Sequence, residues 1–441
     1  MRGEHLREVF ETVLPDDELM QLANESGLQT RQRKLDAVRF LRSMVIAAAT
    51  RYGGRQADVA RVYFEERTEP VVRGGFYRWF GPALERCMEG CRNRALAYAR
   101  RQPRDLPGVL GREVSDWHIV DSTTVKLDDA LKNEYPGTGD YAALKVHKRF
   151  SVGVGTTIDY HLSPAREHDA PHLEVDASWM GLGLLVDLGY ASHALLRDCE
   201  THDVRYVLRL KEGWKPKVER VVKGTTIMGF ARGTDLDLLL GFSVLKLDGK
   251  PIDADVVVGD DIHCRLVGID VPKKGYCFYL TNLSRQTGPK QVADLYRVRW
   301  EIESDNKLDK SCHSLADIGA KKASVVRALV HASIVSSVMI CLLAHHHRLE
   351  EAGPPRRGSD RKQAPIHPQT LALVVGHAGM RIAMAMEEDT ADTWDWLAKS
   401  FEHQGKDPNW RRRPSVLDEL RGWRVQPGRR KAARTKSGVA N

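Results

Sequence analysis

The sequence predicts a mixed α/β core between two helical regions, and three patterns support this prediction. Between residues 35 and 48, apolar residues recur at intervals of three and four, which is the period of one helix face. From about residue 113, segments such as WHIVDSTTVKL and KRFSVGVGTTID have the β-branched, alternating character of strands. A helix-like segment, SHALLRDCETH, lies between later strands, so strands and helices alternate as they do in a mixed α/β fold.

Changes of pattern along the chain predict three regions. Residues 1–112 are predicted to be a helical N-terminal DNA-binding region, with two short helices that could form a helix-turn-helix, although any small helical domain gives a similar pattern. Residues 113–345 contain the strands, with a β-rich insertion at about 212–278 and a long helical segment after it. Residues 346–441 comprise a linker rich in Pro, Gly and charge, a helical segment and a basic tail.

Composition and cysteine usage limit the class of protein. With 441 residues, 42% hydrophobic and 29% charged, the chain suits a folded protein with sizeable cores rather than a disordered or fibrous one. The seven cysteines are scattered, and the start of the chain lacks an uninterrupted apolar stretch, so we expect reduced thiols and a cytoplasmic protein. The apolar segment 328–344 is short and interrupted by histidine and serine, which favours a buried helix over a membrane span.

Positive charge is concentrated in two segments. The formal net charge is +8, and residues 411–441 contain ten Lys or Arg against two acids. Residues 71–104 contain eight arginines against two glutamates. Both segments suit nucleic-acid phosphates, which add affinity without sequence information, although such runs are often only solvated surfaces.

Two aspartates follow short apolar runs. Asp121 comes directly after residues 117–120 and Asp187 after residues 184–186, so both side chains are predicted near the carboxyl ends of core strands. Mg²⁺ prefers oxygen ligands, and metal-assisted phosphoryl transfer needs carboxylates that converge from separate segments. Aspartate at a strand end also caps turns without any catalytic role, so these two residues alone do not decide the function.

The segment LYRVRWEIESDNKLDKS is predicted to be one helix with a charged face. Tyr296, Arg299, Glu303 and Lys310 are separated by three, four and seven residues and fall within about 60° of one another on a helix, whereas Glu301 points nearly opposite. A carboxylate for metal, with Arg, Lys and Tyr for phosphate oxygens, suits phosphodiester chemistry. The alternative is an ordinary amphipathic helix with an Arg and Glu pair four residues apart.

Taken in order, these segments resemble the bacterial transposases of the insertion-sequence-4 type. The spacing of Tyr296, Arg299, Glu303 and Lys310 matches that family's signature. HIVDSTTVK and LLVDLGY resemble its first and second aspartate blocks, and KVHKRFSVGVG and REHDAPH resemble the stretch between them. The resemblance covers about residues 117–310, nearly half of the chain.

The resemblance implies an α/β fold with an RNase H-like catalytic core, in which a mixed sheet is flanked by helices and carries a β-rich insertion. The catalytic residues and metal ligands that it implies are Asp121, Asp187 and Glu303. They would bind two Mg²⁺ ions, for which Mn²⁺ is expected to substitute. The DNA-binding residues that it implies are Tyr296, Arg299 and Lys310, with Lys307 on the same face and Trp300 or Trp214 as candidates to stack a flipped base. Each tryptophan also suits simple packing.

The implied function is cut-and-paste mobilisation of an insertion sequence, by hydrolysis at the transposon ends followed by strand transfer from the 3′-hydroxyl. The implied partners are the element's terminal inverted repeats, target DNA and a second subunit in a synaptic homodimer, in the bacterial cytoplasm at the nucleoid and without a membrane. One alternative is a catalytically inactive, transposase-derived DNA-binding regulator. Another is an HD-type metal hydrolase, suggested by His168 and Asp169 near His161 and His172, but that class needs ligands on separated helices and this pair lies in a loop-like stretch.

Overall fold

The structure is a computed structural model, and it describes most of the chain. The described residues are 1–29, 34–50, 53–65, 72–222, 250–272, 274–351, 364–388, 391–409 and 415–421. The inner part of the predicted insertion, most of the predicted linker and nearly all of the basic tail lie outside these residues, as does the turn of the predicted helix-turn-helix.

The regular secondary structure described before the first strand consists of helices. Local sequence explains their ends: the Asp36 side chain accepts from the Arg39 amide at 2.9 Å and caps the third helix, and Pro82 starts the sixth, where its missing amide hydrogen costs nothing. The helices are α1 Gly3–Val13, α2 Asp16–Glu25, α3 Ala37–Ala49, α4 Gln56–Phe64, α5 Arg73–Tyr77 and α6 Pro82–Arg101.

Within the described residues, the strands form one nine-stranded mixed sheet in the order β3-β2-β1-β4-β5-β9-β8-β7-β6. Strands β1, β4 and β5 are parallel, and every other neighbouring pair is antiparallel. The strands are β1 Trp117–Lys126, β2 Ala143–Ser151, β3 Thr156–Pro164, β4 Gly183–Val186, β5 Arg205–Arg209, β6 Lys217–Val221, β7 Ile252–Val258, β8 Ile262–Val271 and β9 Gly275–Thr281. The mixed α/β prediction is therefore confirmed.

Helices pack on both faces of the sheet and continue to the end of the described chain. Strand β4 leads into helix α7, whose start is capped by Ser192 accepting from the Leu195 amide at 3.1 Å. The helices after β4 are α7 His193–Thr201, α8 Pro289–Arg297, α9 Trp300–Cys312, α10 Ala323–Glu351, α11 Pro368–His377, α12 Gly379–Glu388, α13 Ala391–Gln404 and α14 Val416–Leu420.

Helix α10 is the centre of the largest hydrophobic core. It packs against α1, α3 and α6 from the N-terminal region and against α11 from the C-terminal region. Its sequence is long and apolar enough to cross a membrane, with a mean hydropathy of 2.0, but 94% of that stretch is buried within the protein. The prediction of a buried helix at residues 328–344 is confirmed.

Two predicted elements differ from the structure. The segment KRFSVGVGTTID was predicted as one strand, but it spans the end of β2, a turn at residues 152–155 and the start of β3. The segment carrying Tyr296 and Glu303 was predicted as one helix, but it is two consecutive helices, α8 and α9, separated at Val298 and Arg299. The first break is a four-residue turn that contains Gly153 and Gly155, and the second keeps backbone angles close to helical at Val298 and Arg299.

Candidate functional site

The register between β1 and β4 brings two carboxylates together. Val120 of β1 pairs with Val186 of β4 in parallel. Asp121 directly follows Val120, and Asp187 directly follows Val186. Because neighbouring strands lie about 4.8 Å apart, the two aspartates occupy adjacent positions on the same side of the sheet. Asp187 directly follows β4 as predicted, whereas β1 continues beyond Asp121 to Lys126, so Asp121 lies within its strand rather than at the end.

Glu303 approaches these aspartates from the first turn of α9. Arg299 Nη2 donates to Glu303 Oε1 at 2.8 Å, and the Arg299 side chain is only 11% exposed while that of Glu303 is 35% exposed. Asn306, one helical turn after Glu303, donates from Nδ2 to Asp121 Oδ2 at 3.4 Å. The contact joins α9 to β1, so the face of the helix that bears Glu303 is turned towards Asp121.

The electrostatics of Asp121 show that the carboxylates influence one another. Burial, together with the nearby charges of Asp187 and Glu303, raises the pKa of Asp121 to about 6. The Ser122 amide and the Arg299 guanidinium act in the opposite direction. Neighbouring carboxylates that raise the pKa of the buried Asp121 form a site where a divalent cation would relieve repulsion.

These residues fit a hard divalent cation. Asp121, Asp187 and Glu303 supply oxygen ligands of the kind that Mg²⁺ prefers, from two strands and a helix. Asp187 is exposed and Glu303 is partly exposed, so a cation can reach both from solvent. Arg299 holds Glu303 by an ion pair that a cation of higher charge can replace.

The remaining residues implied by the resemblance lie at different depths. The Tyr296 ring packs on Tyr279 at 5.2 Å between ring centroids and lies 5.9 Å from the Arg299 guanidinium carbon. Burial raises the pKa of the Tyr296 hydroxyl, and the negative charge of Asp187 also raises it. Trp300 is 58% exposed beside Arg299, so it does not pack into the core.

Two lysines of α9 and the second tryptophan lie further from the carboxylates. Lys310 is half-buried two turns after Glu303, and burial together with Lys148 lowers its pKa. Lys307 is exposed and lines a cavity on another side of α9. The Trp214 ring lies 4.8 Å from that of His193 and packs against the core formed by β4, α7 and the insertion.

Sequence reasoning missed a buried ion-pair network beneath α9. Lys148 Nζ in β2 lies 2.8 Å from Asp305 Oδ2 and also contacts the Asp309 carboxylate. Thr157 Oγ1 donates to Asp305 as well, at 2.9 Å. The helical period could have placed Asp305 and Asp309 on one side of α9, but no local pattern indicates their partner on β2.

The histidines that suggested an HD-type hydrolase form a different arrangement. His161 and His172 lie together with His147 on two strands and a short 3₁₀ turn, rather than on separated helices. His168 is exposed and is not part of this group. The ligand pattern of an HD-type centre is therefore not formed by these residues.

Comparison with known proteins identifies the family. The sequence profile described as "Transposase DDE domain" matches residues 116–337, half of the chain. This chain belongs to the transposase DDE domain family. The matched region begins just before β1 and ends within α10, so the DDE domain contains both aspartates and Glu303.

The individual proteins that resemble this chain share low sequence identity with it. The transposase of insertion sequence element IS421 from Escherichia coli is 24% identical over 254 residues, covering 49% of this chain and 64% of that protein. A protein assigned to insertion sequence element IS186A in Escherichia coli strain K12, InsL, is also 24% identical over 254 residues, covering 49% of this chain and 65% of the relative. The match therefore spans just under two thirds of these relatives. A cryo-EM structure of the piggyBac transposase synaptic complex with hairpin DNA aligns with a TM-score of 0.45 at 10% identity, covering 92% of this chain and 86% of the other.

Family membership agrees with the architecture. The DDE domain has a mixed sheet flanked by helices, which fits the RNase H-like core that the resemblance implied. Enzymes of this family depend on divalent metal ions, typically Mg²⁺. The oxygen ligands offered by the carboxylate site fit that dependence.

Proposed function

We propose that this chain is a DNA transposase of the insertion-sequence-4 type, which excises its element and inserts it elsewhere by a cut-and-paste route. The observation that carries the proposal is the convergence of Asp121, Asp187 and the Glu303-bearing face of α9 within a DDE domain. The spacing of Tyr296 and Arg299 before Glu303 supports the assignment to this type.

In this proposal Asp121, Asp187 and Glu303 hold two Mg²⁺ ions, for which Mn²⁺ can substitute. Bound together, the two ions supply an activated water for phosphodiester hydrolysis and stabilise the leaving 3′ oxygen. Once Glu303 is a metal ligand it no longer pairs with Arg299. The Arg299 guanidinium is then available to donate to a phosphate oxygen. The Tyr296 hydroxyl donates a hydrogen bond to the same phosphate group, since burial keeps that hydroxyl protonated.

Other side chains of α9 would hold the DNA near the cut. Lys310 offers positive charge to the backbone beside the scissile phosphate, and Lys307, exposed on another side of α9, offers it to a more distant part of the backbone. Trp300, exposed at the start of α9, is suited to stack an unpaired base. After the first cut, the freed 3′-hydroxyl is aligned by the same residues for attack on a second phosphodiester.

The partners follow from this chemistry. We propose that the protein binds the terminal inverted repeats of its own element and target DNA, acts as a homodimer in the synaptic complex, and works at the nucleoid in the bacterial cytoplasm. The helices of residues 1–112 would contribute end binding, the region 113–345 would form the catalytic domain with its insertion at about 212–278, and residues 346–441 would add a basic tail. Helix α6 lies in the first of these regions, and its exposed residues Arg100 and Arg101 are the candidates for phosphate contacts.

The test is cleavage of DNA that carries the genomic sequences flanking the coding region, with and without Mg²⁺. We expect wild-type protein to cut at the element ends, and Asp121→Asn, Asp187→Asn or Glu303→Gln to abolish cutting while end binding, measured by gel shift, is retained. Glu301→Gln is the matched control, because Glu301 lies on the same helix away from the site and its loss should leave cutting nearly unchanged.

Two results would contradict the proposal. Wild-type protein that binds the ends without cutting them in Mg²⁺ or Mn²⁺ would favour the inactive DNA-binding regulator. Full cutting by any of the three carboxylate variants would exclude that residue from the metal site.

A further inference from the structure

Three histidines meet on the face of the sheet opposite to the carboxylate site. In the register of β1 and β2, Asp121 pairs with Lys148 and Ser122 pairs with His147. Successive residues of a strand point to opposite faces, so His147 lies on the other side of the sheet from Asp121. His161 of β3 pairs with His147 across the β2–β3 hairpin. The histidine group is therefore a separate site.

The three rings are in close contact. One ligand nitrogen from each of His147, His161 and His172 lies within 4.8 Å of the others. The His147 ring stacks on His172 at 4.0 Å and on His161 at 4.6 Å between centroids. Three positively charged imidazolium rings would repel strongly at these distances, so the arrangement suits neutral imidazoles, which is the form that binds metal ions.

Hydrogen bonds fix which nitrogen of His147 carries its hydrogen. Ser163 Oγ donates to the Pro164 carbonyl at 3.3 Å, so it accepts from His147 Nε2, which lies 2.8 Å away. His147 Nδ1 is then left with a free lone pair. The residue is only 2% exposed, and within the described part of the chain Nδ1 has no hydrogen-bond partner. A buried acceptor of this kind can take a metal ion or an ordered water as its partner.

His172 is arranged in the same way. Its Nε2 lies 3.0 Å from Glu167 Oε2, so this nitrogen carries the hydrogen and Nδ1 presents a lone pair. A carboxylate that accepts from the outer nitrogen is the usual support of a histidine that ligates zinc. His172 Nδ1 accepts a hydrogen bond from His161 Nε2 at 2.9 Å. A metal ion would replace that hydrogen, because two nitrogens bound to one tetrahedral zinc ion are separated by about 3.3 Å, close to the observed distance.

We propose that His147, His161 and His172 bind one zinc ion, or a similar late first-row divalent metal, at a site distinct from the Mg²⁺ carboxylates. Three imidazole nitrogens select this class of metal over Mg²⁺ or Ca²⁺, which prefer oxygen. The fourth position is open to water or to Asp169, whose Oδ1 lies 3.8 Å from His147 Nδ1. This inference does not depend on the proposed function.

The site would stabilise the chain next to the first aspartate. Asp169 Oδ1 accepts from Ser122 Oγ at 2.7 Å, and Ser122 directly follows Asp121. A metal that joins β2, β3 and the 3₁₀ turn at His172 would therefore hold the loop containing Asp169 against β1. Its role is positional, because none of its ligands reaches the carboxylate face.

The experiment measures metal binding by the full-length chain in excess Mg²⁺. Metal-free protein is titrated with Zn²⁺, and with Co²⁺ as a coloured probe whose visible absorption reports tetrahedral coordination. We expect one equivalent to bind and to raise the thermal midpoint. His161→Ala and His172→Ala should each weaken binding at least about tenfold and remove the thermal effect. His168→Ala is the matched control, an exposed histidine of the same loop, and should bind like wild type.

Further variants distinguish zinc binding at the histidines from zinc binding at the carboxylates. Asp121→Asn combined with Asp187→Asn should leave zinc binding unchanged, and loss of binding in that variant would assign the ion to the carboxylates and overturn the proposal. Zinc binding in the His161→Ala and His172→Ala variants equal to that of wild type would overturn it as well. Both histidines are at least partly exposed, so circular dichroism of these variants should match wild type.

Discussion

Replacing Lys148 with methionine should destabilise the protein by about 3–5 kcal/mol at pH 8, because it leaves two buried carboxylates without their cation. The Lys148 side chain is 0% exposed, and those of Asp305 and Asp309 are 4% and 1% exposed. Methionine fills a similar volume, so the expected loss is electrostatic rather than a packing defect.

The loss should depend on pH with a defined sign. Burial already raises the pKa of Asp309 to about 6 in the presence of Lys148, and removing the lysine raises it further. A carboxyl group whose pKa is higher in the folded state than in the unfolded state loses stability as pH rises through that range. Lys148→Met should therefore be closer to wild type at pH 5 than at pH 8, since protonation neutralises the buried carboxyl group.

Urea denaturation followed by circular dichroism at pH 5 and pH 8 measures the effect. Lys217→Met, an exposed lysine on β6, is the control and should change the free energy of unfolding by less than about 0.5 kcal/mol. Adding Asp305→Asn and Asp309→Asn to Lys148→Met should restore most of the loss. A loss below about 1 kcal/mol for Lys148→Met at pH 8, or no recovery in the triple variant, would refute the reasoning.

Three further perturbations test other parts of the molecule. Burial lowers the pKa of His313 and His345 to about 3, so both are neutral in the fold and stability is lost as pH falls below about 6.5. Replacing both with Gln should remove roughly 1.5 kcal/mol of acid sensitivity per residue between pH 6.5 and pH 5 in urea titrations. Arg265 donates to both oxygens of the buried Asp253, at 2.8 and 2.7 Å, so Arg265→Met should cost about 3–5 kcal/mol in the same assay, and a cost below about 1 kcal/mol would contradict the buried pair. Arg299→Ala should weaken binding to element ends and lower the slope of log affinity against log salt by about one in fluorescence anisotropy, and an unchanged slope would exclude a phosphate contact.

Local patterns predicted the parts of the site that depend on a single strand or helix. The run of residues 184–186 placed Asp187 at the end of β4 because a short apolar segment followed by a turn residue defines both the strand and its end. Helical phase separated Glu303 from Glu301, and the structure places Glu303 towards Asp121 while Glu301 faces Asp418 and Arg421. Short-range periodicity is sufficient for such assignments.

Contacts between distant segments were not predictable in the same way. The break between α8 and α9 at Val298 and Arg299 has backbone angles close to helical, so no glycine or proline marks it in the sequence. The β2–β3 hairpin turns at residues 152–155, where Gly153 and Gly155 are a turn signal that the β-branched residues on both sides outweighed in the prediction. Lys148 lies within an alternating strand pattern, and only the fold shows that it is fully buried against α9.

The pairing of β1 with β2 explains how one helix can serve both stability and the carboxylate site. Asp121 and Lys148 are directly opposite in the antiparallel register, so their side chains emerge on the same face of the sheet, under α9. Asp121 meets Asn306 there, and Lys148 meets Asp305 one residue earlier in the helix. The ion pair therefore fixes the rotation of α9 relative to β1, and with it the direction in which Glu303 points. A Lys148 variant that still folds should consequently lose more end cleavage than end binding.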